Sequence, residues 1–173
     1  PDMLKTTKLT IRNSDGEKEE QKINIDQEGK FIAVVNIENI KGDALIEIQS
    51  DDGAYESLLL TEEDQSKTVI KDKEIEVNAI EEGKSYTIND ILYESNSSKL
   101  LSSSKIVLDG FADWLVLNSE LNIEIQGHTD NVGSDDANMA LSMDRAFSVM
   151  EYLIGKGVDK ERLRFKGYGE TEP

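Results

Sequence analysis

Residues 121–133 read Leu121-Asn122-Ile123-Glu124-Ile125-Gln126-Gly127-His128-Thr129-Asp130-Asn131-Val132-Gly133. From Leu121 to Gln126 apolar and polar residues alternate, the period of a strand with one face buried. The polar run that follows therefore begins at the end of a strand. Asp130 falls on the rim of a sheet, and Gly133 lets the loop bend. Downstream, Asn138 to Ile154 carries a helical period and Arg162 to Gly169 reads as another strand. Upstream, Tyr86 to Tyr93 reads as a strand and a Ser-rich loop follows. Ser102 to Ser104 are placed to cap a helix that buries Val107, Leu108, Phe111, Trp114 and Leu115 and ends near Asn118. Strand, helix, strand, helix, strand predicts helices laid on an open sheet.

Further upstream the pattern differs. From Leu4 to about Ala79 apolar residues mostly alternate, as in Lys8-Leu9-Thr10-Ile11-Arg12, Ile23-Asn24-Ile25 and Leu45-Ile46-Glu47-Ile48, with Phe31 to Ile37 more continuously apolar. Asp15-Gly16, Glu28-Gly29, Gly42-Asp43 and Asp52-Gly53 separate these runs as turn signals. Short strands at regular spacing predict an all-β sandwich. The expected fold class is α+β, with a sandwich over residues 1–82 followed by a βαβαβ unit, helices on a mixed sheet, over 83–173.

Composition narrows the function. The net charge of −17 comes from 36 acidic against 19 basic residues and is spread over both halves, so nucleic acid would be repelled rather than held. No segment approaches the roughly 18 apolar residues of a spanning helix. Pro1 to Thr10 lacks the regions of a signal peptide. Without cysteine there are no disulfides or thiolate metal sites. His128, the single histidine, would need an all-carboxylate remainder to hold zinc, and it reads as a packed or hydrogen-bonded strand residue. Neither Ser134 nor Ser142 lies in a nucleophile-elbow motif that would build a triad with His128. Asp130, Asn131, Asp135 and Asp136 lack the alternating ligand spacing of a calcium loop and read as solvated charges. No catalysis, metal or cofactor is expected.

One constellation does carry chemistry. At about 100° per residue, Leu141, Arg145, Val149 and Tyr152 lie near the direction of Asn138 on the second helix. Met143, Ala146, Phe147, Met150, Leu153 and Ile154 cover most of the remainder, leaving Asp144, Ser148 and Glu151 as a solvated strip. Arg145 thus sits among apolar neighbours, where a carboxylate partner is expected. Two readings fit. Arg145 pairs with Asp130 or another acid inside the fold, or the two form a receptor in which a guanidinium grips a carboxylate, a carboxylate accepts from an ammonium, and Asn138 does either. Residue chemistry alone favours the first.

The run Gly127-His128-Thr129-Asp130, then Asn138, Leu141-Ser142, Arg145-Ala146, Val149, Tyr152-Leu153, Gly157 and Gly167-Tyr168-Gly169-Glu170, resembles the OmpA-like peptidoglycan-binding domain. Ile91-Leu92-Tyr93-Glu94-Ser95-Asn96-Ser97 resembles that family's first strand and following loop. The resemblance implies binding of the diaminopimelate residue of the peptidoglycan stem peptide. Asp130 would take its ammonium, Arg145 its carboxylate, and Asn138 a supporting hydrogen bond. Glu94, Ser95, Asn96, Ser97, Thr129 and Leu141 would line the pocket. It also implies a periplasmic module that tethers an outer-membrane-associated protein to the cell wall. The alternative is a protein-protein interaction module that keeps the fold without cell-wall binding. Two departures stand out: Glu94 replaces the family's Asp, and the family continues into a further strand beyond the Gly-Tyr-Gly-Glu turn.

In the first unit, Gly29-Lys30-Phe31 and Asp51-Asp52-Gly53-Ala54-Tyr55 resemble the carboxypeptidase-regulatory-like sandwich that precedes OmpA-like domains in some outer-membrane-associated proteins, including accessory components of type IX secretion. This implies an outer-membrane or secretion-complex partner for residues 1–82.

Overall fold

The computed structural model describes residues 7–23, 31, 33, 40–50, 53–65 and 80–171, and the chain divides into two units, Pro1–Asp90 and Ile91–Pro173. In the first, the alternating runs become β1 (Thr7–Asn13), β2 (Lys18–Ile23), β3 (Ala44–Ser50) and β4 (Tyr55–Leu60), followed by the single turn α1 (Glu62–Gln65). They form one antiparallel sheet in the order β2-β1-β3-β4. The Asp15-Gly16 turn closes the first hairpin, with the Gly16 N–H donating to the Asn13 carbonyl and φ at +84°, a conformation glycine adopts without steric cost. Asn24-Ile25, Glu28-Gly29-Lys30, most of Phe31 to Ile37 and Asp51-Asp52 lie outside the described residues.

Both faces of this sheet carry buried side chains. On one, Leu9, Ile11 and Ile23 gather Phe31, Ala33, Ile40 and Ile46. On the other, Arg12 Nε donates to Glu47 Oε2 at 3.1 Å, with the two residues only 5% and 1% exposed. Charges this deep are tolerated where they are paired and hydrogen-bonded, as these two are. Burial, reinforced by the Glu47 charge, pushes the nearby Tyr55 phenol far above its ordinary value, so it stays neutral beside the pair.

In the second unit the order is α2 (Ser102–Leu117), β5 (Ile123–Gly127), α3 (Asp135–Gly155), a 3-10 turn (Lys160–Arg162) and β6 (Leu163–Gly167). β5 and β6 pair in parallel, Ile123 opposite Leu163 through Gly127 opposite Gly167, so among the described residues the sheet is parallel and not mixed. Ser134 caps α3 by accepting from the Ala137 N–H at 3.3 Å. Asp135 and Asp136 occupy its first turn, where the helix dipole favours negative charge. Arg162 ties the far end together, donating to the carbonyls of Leu115, Asn118 and Leu121 and so satisfying groups that the end of α2 leaves open.

Three further expectations require correction. Tyr86 to Tyr93 does not form a strand; only an isolated antiparallel bridge between Tyr93 and Leu100 survives. The backbone of Leu92 is engaged elsewhere, its N–H donating to Ser104 Oγ at 2.6 Å and its carbonyl accepting from Ser104 Oγ and the Leu101 N–H. For the same reason Ser104 is no cap: α2 starts after Leu101 with no side-chain cap, and Ser104 is buried against Leu92. Ser104→Ala removes both side-chain bonds at once and is expected to lower the stability of this unit by about 1 to 3 kcal/mol. Urea unfolding measures this, and an unchanged midpoint would contradict the anchoring role.

The third correction concerns α3. Its buried line is Asn138, Ser142, Ala146, Val149 and Leu153, while Met143 is 45% and Phe147 38% exposed. Small residues at 142 and 146 let the helix come down on the sheet. A Cβ on Gly127 would stand 2.1 Å from the Ser142 carbonyl oxygen, and one on Gly167 would stand 2.6 Å from the Met143 amide nitrogen. With bulkier strand residues α3 would stand off, and Phe147 reaches past this close contact to meet Phe165 with ring centroids 5.2 Å apart. Among the described residues no helix is long and apolar enough to cross a membrane.

Candidate functional site

The loops that leave β5 and β6 are laced together. The Tyr168 N–H donates to the Gly127 carbonyl and the Thr129 N–H to the Gly169 carbonyl, both at 2.9 Å. Ser142 Oγ accepts from the Gly169 N–H at 2.9 Å while donating to the Met139 carbonyl. His128 stacks on Tyr168, rings 5.3 Å apart and nearly parallel. Asp130 then emerges exposed at the strand end. Its Oδ1 accepts from the Val132 N–H at 3.2 Å, a local turn that fixes the carboxylate, and among the described residues its other oxygen has no hydrogen-bond donor. Beside it, Thr129 is 7% exposed and its Oγ1 has no hydrogen-bond partner among the described residues.

Asn138 holds this loop from the first turns of α3. Its Nδ2 donates to the Asp130 carbonyl at 3.2 Å and to Glu170 Oε2 at 2.6 Å. Only 3% of the residue is exposed, and both amide hydrogens are spent inside the protein. The structure therefore gives Asn138 a supporting position behind Asp130.

Arg145 lies two turns further along α3. Helical side chains lean toward the N-terminus, so it reaches back in the direction of Asn138. Its guanidinium carbon lies 4.9 Å from the centroid of the Tyr93 ring, a distance at which cation and π face attract. Arg145 Nε donates to the Ser97 carbonyl at 3.1 Å, and Tyr93 Oη donates to the Arg145 carbonyl at 3.2 Å. No carboxylate lies within ion-pairing distance of Arg145 among the described residues, Asp130 included. The internal ion pair favoured by residue chemistry is thus not formed, and the Nη groups remain available.

The loop carrying Ser97 is a closed hairpin. The Glu94 N–H donates to the Lys99 carbonyl at 2.9 Å, the Ser97 N–H to the Glu94 carbonyl, and Asn96 sits at φ +49°. Glu94 pairs with Lys99 Nζ at 2.5 Å on the exposed side, so its carboxylate is engaged with the hairpin's own cation. Ser95 and Asn96 are exposed, Leu141 half-buried. Arg145 and Ser97 are brought into contact, as are Asn138 and the backbone of Asp130; no hydrogen bond or ion pair joins these two sets.

Sequence reasoning missed Tyr93 and Glu170 as parts of this arrangement. Both stood in the quoted motif runs, yet their partners lie 52 and 32 positions away. Burial is the main influence on the Tyr93 phenol and raises it to about 12, against the opposing charge of Arg145. The folded value exceeds the ordinary one of about 10, so this stabilisation is present below pH ~10 and is lost as pH rises through about 12. Difference absorbance titration of wild type against Tyr93→Phe should show one phenol with a midpoint near 12; a midpoint near 10 would contradict the burial. Among the described residues no three His, Asp or Glu side chains gather to hold a metal ion.

The OmpA family model matches residues 92–173, and that stretch is an OmpA-like domain. The chain is 32% identical over 83 residues to the peptidoglycan-associated lipoprotein of Rhizobium meliloti, covering 48% of this chain and 47% of that protein. It is 36% identical over 85 residues to the probable lipoprotein YiaD of Escherichia coli, covering 49% and 39%. A solved structure of the peptidoglycan-associated lipoprotein from Burkholderia pseudomallei is 26% identical, with a TM-score of 0.46, covering 48% of this chain and 70% of that one. The chain spans about half or less of the length of these curated relatives.

Proposed function

We propose that residues 91–173 bind peptidoglycan non-covalently through the diaminopimelate residue of its stem peptide. In this reading the module tethers an outer-membrane-associated protein to the cell wall from the periplasmic side. The observation that carries it is the state of Arg145: a half-buried guanidinium fixed by Tyr93 and Ser97, with its Nη edge unpaired by any described carboxylate. A charge held this way is costly unless something binds it, and a carboxylate fits the Nη pair through two parallel hydrogen bonds. Asp130, fixed at the strand end by the Val132 N–H, supplies the acceptor for the ligand's ammonium. The match to a peptidoglycan-associated lipoprotein supports this ligand class. The first unit, as a carboxypeptidase-regulatory-like sandwich, serves as spacer or docking surface for a membrane-associated assembly.

Calorimetric titration of the chain with a stem peptide containing diaminopimelate, against the same peptide containing lysine, tests the reading. Lysine keeps the ammonium and lacks the distal carboxylate. The diaminopimelate peptide should bind at least about tenfold more tightly, since a lost charge-assisted hydrogen-bond pair is worth roughly 1.5 kcal/mol or more. Equal affinities would contradict it.

A further inference from the structure

A guanidinium can grip a carboxylate along either of two edges, end-on through Nη1 and Nη2, or side-on through Nε and one Nη. In this protein the side edge is occupied. Nε donates to the Ser97 carbonyl at 3.1 Å, and that oxygen would face any carboxylate approaching from the side, lone pair against lone pair. One face of the guanidinium is covered by the Tyr93 ring. The ring itself is held from the helix that carries Arg145, through Tyr93 Oη on the Arg145 carbonyl. Its backbone is held from the other side by the bridge to Leu100. Among the described residues the side chain is thereby left one open edge, along which Nη1 and Nη2 present two parallel N–H donors and no acceptor.

We infer that Tyr93 is a positioning residue that sets ligand selectivity: by clamping Arg145 with only its Nη edge exposed, it restricts the site to a free carboxylate and rejects the corresponding carboxamide. This inference rests on the receptor reading of the same site. Its chemical basis is the donor count. A carboxylate offers two acceptor oxygens to the Nη pair. A carboxamide offers one oxygen and turns an NH2 toward the second Nη, donor against donor, which leaves both groups unpaired. Were Arg145 free to swing, it could meet the single amide oxygen in other ways and the penalty would shrink. The clamp makes the penalty unavoidable. Ser97 contributes through its backbone carbonyl, so its side chain does not matter for this effect.

The test compares two stem tripeptides that end in diaminopimelate, one with the distal carboxyl free and one with it amidated, titrated into the full 173-residue chain. Wild type should prefer the free acid by about 10- to 100-fold, the equivalent of one mispaired buried donor. In Tyr93→Leu, which removes the ring face, the ratio should fall by about threefold or more, toward the preference that the charge of the free acid alone gives. Tyr93→Phe keeps the ring and loses only its hydroxyl, and should retain most of the ratio. A mere loss of folding stability would weaken both ligands together and leave the ratio intact, so the ratio separates positioning from structure. Nitrogen-15 spectra of wild-type Arg145 provide a second readout that needs no variant: free-acid peptide should shift the Nη signals and leave Nε–H bonded as before. If wild type binds both peptides equally, or Tyr93→Leu keeps the wild-type ratio, or Nε carries the shift, the inference is overturned while the receptor reading stands. If wild type binds neither peptide, both fall.

Discussion

Gly127→Ala is expected to lower the melting temperature of the OmpA-like unit by about 12 °C or more. The new methyl would stand 2.1 Å from the Ser142 backbone carbonyl oxygen and 3.2 Å from the Ala146 Cβ. Neither obstacle is a flexible side-chain end. Accommodation requires α3 to lift from β5, and that movement disturbs the Ser142, Asn138 and Gly169 contacts that hold the Asp130 loop. Overpacking a close-packed interior costs about 1 to 3 kcal/mol, more when backbone must move; for a domain this size each kcal/mol corresponds to roughly 4–8 °C. Gly155→Ala is the matched control. It lies at the end of the same helix with nothing within 4 Å of the added Cβ and no positive φ, so it should stabilise slightly, by about 0.4 to 1 kcal/mol. Differential scanning calorimetry of both variants decides the matter. Equal and small effects would mean that α3 does not rest on β5 through Gly127.

The second large effect is on binding. Arg145→Ala should reduce affinity for a diaminopimelate stem peptide by about 100-fold or more, because it removes both charge-assisted bonds to the ligand carboxylate. The stability cost should be small by comparison. What the variant loses inside the protein is one bond to the Ser97 carbonyl and one cation-π contact, and neither leaves a buried charge unpaired. Arg145→Lys should not restore binding, since an ammonium cannot present two parallel donors. A variant that binds normally in calorimetry would place the ligand elsewhere.

Much of this arrangement was legible in the residues. The alternation at Leu121 to Gln126 and the helical period from Asn138 identify β5 and α3, because one face of each is buried and the pattern records it. Asp130 at the strand end and Arg145 on the buried side of the helix followed from the same two periods. Other features depend on contacts between distant positions. The apolar residues of Tyr86 to Tyr93 suit a strand, yet Ser104 takes the backbone of Leu92 from outside and no ladder forms. Ser102 to Ser104 look like caps for the same local reason that misleads at Leu92: a hydroxyl serves whichever backbone group tertiary packing presents.

The internal ion pair is the instructive case. A charge flanked by apolar residues predicts a charged partner, and Arg145 instead has an aromatic face and a carbonyl, both 48 or more positions away. Periodicity also painted α3 as apolar around most of its circumference, whereas the close approach at Gly127 and Gly167 narrows its buried line to Asn138, Ser142, Ala146, Val149 and Leu153. Spacing reveals which faces are apolar; it does not reveal how near two backbones come.

The most direct measurement is sedimentation of the chain with purified sacculi that contain diaminopimelate, for wild type, Asp130→Ala and Arg145→Ala side by side. Wild type should pellet with the sacculi, and both variants, folded by circular dichroism, should stay in the supernatant. If all three pellet alike, or wild type remains in solution with the variants, the assignment of Asp130 and Arg145 as a cell-wall receptor is wrong.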